Sequence, residues 1–139
     1  MTAHRDTAFR ELQMLEAAKK GILDSGDFLP LDQMAQRLGL SPMNLSKWEA
    51  EGKIFSIQHG GCPLFPKYVF LADSGHRPVA GLEVILDVLR TEKGGWGIAF
   101  WFASPSSYLG GSRPQNVLHS DADNVLLAAQ DEVVGITHG

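Results

Sequence analysis

A mainly α-helical fold carrying one small β-hairpin is what this sequence predicts, and three observations carry the expectation. Apolar residues recur at three- and four-residue spacing over residues 6–24, 31–38, 79–92 and 122–134. One stretch only, residues 53–71, turns to aromatic and β-branched composition around the turn His59-Gly60-Gly61-Cys62. Composition is that of an ordinary globular protein, with 44% hydrophobic residues and a mean hydropathy of −0.06. At 139 residues the chain fits one medium domain or two very small ones sharing a core. The polar turn at residues 72–78 is the best boundary, dividing it into 1–78 and 79–139.

The first helix is expected over residues 6–24, with Ala8, Leu12, Leu15 and Ile22 facing inward, residues 1–5 loose, and Gly26 and Pro30 closing the segment. Its expected role is to brace the helix pair behind it. Residues 31–52 read as two short helices joined by a tight turn. Leu31, Met34, Ala35 and Leu38 share one face, and Gly39 supplies a residue that turns with positive φ at little steric cost. Ser41 stands where an N-cap belongs, and Pro42 follows at the first helical position, where a missing N–H costs nothing. Leu45 and Trp48 continue an apolar face, and small Ala35 opposite Leu45 allows a close crossing. This pattern resembles the helix-turn-helix signature, which implies binding to double-stranded DNA. The candidate DNA-binding residues are then Ser41, Met43, Asn44, Ser46, Lys47 and Lys53, with Asn44 and Lys47 suited to base edges and phosphates.

Behind the second helix, residues 53–58 favour a strand and residues 64–71 a returning strand broken by Pro66. WEAEGKIF followed by such a hairpin resembles the winged arrangement of MerR-type and excisionase-type DNA-binding proteins. Lys53, His59 and Lys67 either touch flanking DNA backbone or sit on a hairpin that only seals the core.

The second half predicts a small helical bundle. Leu82, Ile85, Leu86 and Leu89 line a helix over residues 79–92, which Lys93-Gly94-Gly95 ends. Trp96, Phe100 and Trp101 load a short helix that Pro105 stops. A loop comes next, with Leu109 as anchor, Gly110-Gly111 as its turn and Pro114 opening another helix. Val125, Leu126, Ala129 and Val133 then form the inner face of a final helix over residues 122–134, which Gly135 ends.

The order Trp101, Phe102, Pro105, Leu109, Gly110, Gly111, Pro114, Val117, Leu118, Val125, Ala129 resembles the C-terminal domain of Xre/MbcA/ParS-type antitoxins over residues 79–139. The resemblance implies a toxin-binding module whose partner is a RES-domain toxin, an NAD-consuming enzyme, and a regulator that represses its own operon. Leu109, Gly110, Gly111, Arg113 and Pro114 are the candidate partner-binding residues, with Arg113 the cation of that loop. A stand-alone winged regulator whose second half only dimerises, and a pure protein-binding module, are the alternatives.

Charge argues for help from assembly. The net charge is −4, distributed as −1 over residues 1–30, +1 over 31–78 and −4 over 79–139. A segment with so small a positive excess binds DNA weakly and with strong salt dependence. A homodimer or larger assembly is therefore expected, reading half-sites about 34–36 Å apart. No G-x-S-x-G elbow, Walker loop or dinucleotide fingerprint occurs, and His4, His59, His76, His119 and His138 show no ligand spacing, so no enzyme, metal or cofactor is expected. A lone Cys62 allows no internal disulfide. The charged residues 1–20 and the lack of a membrane-length apolar run lead to the expectation of a cytoplasmic protein.

Overall fold

The computed structural model describes residues 2–71 and 77–138. Most of the expected turn at residues 72–78, His76 included, lies outside the described residues, as do Met1 and Gly139. In chain order the elements are α1 (Thr2–Asp24), β1 (Phe28–Pro30), α2 (Leu31–Leu38), α3 (Pro42–Ala50), β2 (Ile57–His59) and β3 (Cys62–Pro66). A 3₁₀ turn (Lys67–Val69) comes next, then α4 (Leu82–Arg90), α5 (Gly95–Ala103), a second 3₁₀ turn (Ser107–Leu109), α6 (Pro114–Val117) and α7 (Ala122–His138). The fold is mainly helical with a small antiparallel sheet, as the sequence predicts. No helix among the described residues is long and apolar enough to cross a membrane.

The sheet has three strands in the order β1-β3-β2. The hairpin β2–β3 turns at Gly60 (φ +59°) and Gly61 (φ +80°), two left-handed residues in a row. That backbone matches the twist of the flanking strands, and glycine adopts it without strain. The third strand, β1, is an addition to the predicted hairpin. It pairs Phe28 with Pro66, Leu29 with Phe65 and Pro30 with Leu64, so the hairpin rests against the entry to α2.

Several boundaries differ from expectation. Residues 53–56 form a turn and an extended connection that buries Ile54 and Phe55, and the strand starts only at Ile57. The return strand begins at Cys62 and gives way after Pro66 to the 3₁₀ turn, because proline offers no N–H to prolong the ladder. The helix expected over residues 79–92 is confined to α4, and α7 runs through Gly135, since one glycine weakens a helix without ending it. The larger correction concerns α1. Ala8, Leu12 and Leu15 are exposed, and among the expected inward positions of this helix only Ile22 is buried. Helical spacing tells which face of α1 is apolar; it does not supply a neighbour.

One core joins residues from both halves, running from Met34 and Leu45 through Ile57, Phe65, Leu86 and Phe102 to Val125 and Ala129. Phe55 of the first half stacks on Phe102 of the second, centroids 5.8 Å apart at 9°. Polar ties reinforce this seam. The Arg90 guanidinium donates to the Gly52 and Ile54 carbonyls, each at 2.9 Å, and Trp96 Nε1 donates to Gln58 O at 2.9 Å. His119 Nε2 lies 2.6 Å from Tyr68 O. A Cβ at Gly95 would collide with the Ser56 carbonyl, so α5 docks on the first half by backbone contact.

Candidate nucleic-acid interface

The helix pair at the centre of the first half is set by its own turn chemistry. Gly39 ends α2 at φ +68°, with Leu40 N donating to Ala35 O at 3.0 Å. Ser41 Oγ accepts from Asn44 N at 3.2 Å, which makes Ser41 the N-cap of α3, with Pro42 in the first turn. Met34, Ala35, Leu38 and Leu45 are buried at the crossing of the two helices. Trp48 is half-buried and stacks on Phe70 at 6.4 Å.

This packing leaves the opposite arc of α3 to solvent. Met43 is 81% exposed, and Asn44, Ser46 and Lys47 are exposed beside it. At 100° per residue these four positions span about 160°, centred opposite Leu45. Among the described residues, no hydrogen bond or ion pair draws on any of their side chains. Ser41 is also exposed; its oxygen is engaged in the cap, and the hydroxyl proton is left able to donate. Lys53 lies apart from that arc, beyond Gly52, half-buried with Nζ 4.0 Å from Glu51. The turn of the hairpin projects His59, Gly60, Gly61 and Cys62 into solvent, while Lys67 is half-buried at the base.

Sequence reasoning missed two cations. The C-terminal half of α1 runs beside the hairpin, so Lys19 and Lys20 line a hollow of about 390 Å³ together with Glu16, Gln58, His59 and Trp96. Lys19 Nζ sits 5.2 Å from the centroid of the Trp96 ring. Their i, i+1 placement on a helix was visible; the hairpin folding back against them was not.

The second candidate site divides in two. Leu109 and Pro114 are buried and shape the loop from inside, so neither is placed to touch a partner. Gly110, Gly111 and Arg113 are exposed, with Tyr108 at 44%. Internal hydrogen bonds hold the loop, including Gly111 N to Ser106 O at 2.7 Å and Ser106 N to Ser112 O at 3.0 Å. Gly110 (φ +67°) and Gly111 (φ +91°) turn the chain where a side chain would be strained. Arg113 lines a hollow of about 290 Å³ that Asp27 and Phe28 close from the other half. Between the halves, Tyr68 packs against Phe28, Phe55 and Phe102, and its hydroxyl is buried with no hydrogen-bond partner among the described residues. Burial, with the Asp27 carboxylate adding to it, pushes this phenol well above its ordinary range.

No family model matches this chain, and no curated protein does. Its fold is similar to a solved structure described as the NMR structure of Rv2175c, with a TM-score of 0.65 at 22% identity. The match covers 78% of this chain and 82% of that one, so the likeness takes in most of both folds.

Proposed function

We propose that this protein is a double-stranded-DNA-binding transcriptional regulator that lays α3 in the major groove, with the β2–β3 hairpin as a flanking wing. The observation that carries the reading is the exposed arc of Met43, Asn44, Ser46 and Lys47. It is presented by a capped helix whose opposite face is buried, and among the described residues no hydrogen bond or ion pair uses its side chains. Asparagine can pair bidentately with adenine, and lysine can reach guanine or phosphate. Two half-sites read by a homodimer would compensate for the small charge excess of one copy. Fluorescence anisotropy on a duplex from the gene's own upstream region tests this. The expected result is binding by the wild type and at least a tenfold loss in Asn44→Ala plus Lys47→Ala. Equal binding by both proteins overturns the assignment of α3.

Within this reading, the second half serves as the partner-binding part of an antitoxin-type regulator, with a RES-domain toxin as partner and the protein's own operon as target. The Leu109-Gly110-Gly111-x-x-Pro114 motif supports it, together with the exposed, internally braced edge formed by Gly110, Gly111 and Arg113. Co-purification of the full chain from its native host should retain such an enzyme, and Arg113→Glu should release it. Recovery of the chain alone would remove this half of the proposal.

A further inference from the structure

The weak positive charge of the helix-turn-helix segment leaves a question of supply. A protein that holds duplex DNA must neutralise several phosphates, because counterion release provides most of the non-specific affinity. Two cations of the second half are already committed inside the fold. Arg90 caps the Gly52 and Ile54 carbonyls, and Lys93 pairs with Glu132 at 3.2 Å with its side chain 17% exposed. The hollow beside the wing offers two others, Lys19 and Lys20. Lys19 and Lys20 come to it from α1, His59 from the turn of the hairpin, and Trp96 from the start of α5.

We infer that Lys19, Lys20 and His59 form a backbone-phosphate clamp for duplex DNA, an extension of the wing contributed by α1. Trp96 is what makes it one structure. Its indole N–H donates to the Gln58 carbonyl of β2, and its ring face holds the Lys19 ammonium, so helix and hairpin share one aromatic anchor. Duplex backbone met by the wing turn at His59 and Gly60 falls beside these lysines, which line the same concave surface. Two carboxylates oppose them. Glu16 lines the hollow, and Asp24 lies 3.0 Å from Lys20 Nζ. That pair is an exposed one, with side chains 76% and 63% accessible, so a phosphate can replace the carboxylate at little cost. The clamp reads charge and spacing, and carries no base specificity.

This inference rests on the proposed DNA binding, and its test separates the two. Anisotropy is measured with the full chain over a potassium chloride series, on the upstream duplex and on a duplex of scrambled sequence. Lys19→Gln plus Lys20→Gln is expected to lower affinity for both duplexes by the same factor, on the order of 10- to 50-fold near 0.1 M salt. The slope of log K against log salt should shrink by about 2, one for each phosphate no longer neutralised. Lys20→Gln alone, at the more exposed position, should shrink it by about 1 and guards against a folding defect from disturbing the Trp96 ring. Wild-type affinity and slope in both variants, alongside loss in Asn44→Ala plus Lys47→Ala, would sink the clamp and leave the role of α3 standing. Loss confined to the upstream duplex with an unchanged slope would also overturn it, because the lysines would then be reading bases. Failure of the wild type to bind either duplex removes the DNA reading and the clamp together.

Discussion

At the residue scale, Tyr68 is the most instructive position. Its ring fills the seam between the halves, and its hydroxyl is buried with no hydrogen-bond partner among the described residues. Removing that hydroxyl relieves a desolvation cost, so Tyr68→Phe should leave stability unchanged or raise it by about 1 kcal/mol in denaturant melts. The pH dependence has a definite sign. A phenol raised in the folded state above its ordinary value of 10.0 keeps its proton there while the unfolded chain releases its own. Its contribution is fully present below that value and is lost as pH rises through the folded pKa. The wild type should therefore lose thermal stability more steeply above pH 10 than Tyr68→Phe; parallel curves would contradict the burial argument. Ser41 makes a plainer case. Ser41→Ala should cost about 1 kcal/mol through the lost cap of α3, measured by chemical denaturation.

At the element scale, what periodicity reveals and what it withholds separate cleanly. The α2-turn-α3 unit was legible because four independent signals agreed: apolar spacing, Gly39, Ser41 and Pro42. The strand β1 was not legible, because three residues are too few to show alternation and only the ladder with β3 defines them. The first helix was legible as a helix, but packing covers only its C-terminal end, where Ile22 is buried. Phe9, Leu12, Met14 and Leu15 are 60%, 55%, 72% and 41% exposed. Replacing Phe9, Leu12 and Met14 by serine, glutamine and glutamine should shift monomer stability by about 0.5 kcal/mol or less at each site in denaturant melts. A loss that grows with protein concentration would show that a second copy covers this face. Docking of α5 rests on Gly95, where even a methyl group meets the Ser56 carbonyl. Gly95→Ala should cost about 1–3 kcal/mol by forcing that backbone apart, with the loss read from the urea midpoint.

At the scale of the whole molecule, the shared core decides how the protein comes apart. Phe55 on Phe102, Arg90 on the Gly52 and Ile54 carbonyls, and His119 against Tyr68 O all cross from one half to the other. Calorimetry should accordingly give one transition with equal calorimetric and van't Hoff enthalpies. Two resolved transitions would mean that the contacts across the seam contribute little.

The sequence by itself determined the fold class, the turn and caps of α2 and α3, and the polar arc that α3 shows to solvent. Each arises from local rules of spacing, φ preference and capping that need no distant partner. The same rules found the Leu109-Gly110-Gly111 turn. Only the tertiary structure decided that Pro114 is buried, that Ala8, Leu12 and Leu15 on the apolar stripe of α1 are exposed, and that Lys19 and Lys20 lie beside His59. Those outcomes depend on which surfaces meet, and meeting is settled by packing between residues some 40 positions apart, about which local periodicity carries no information.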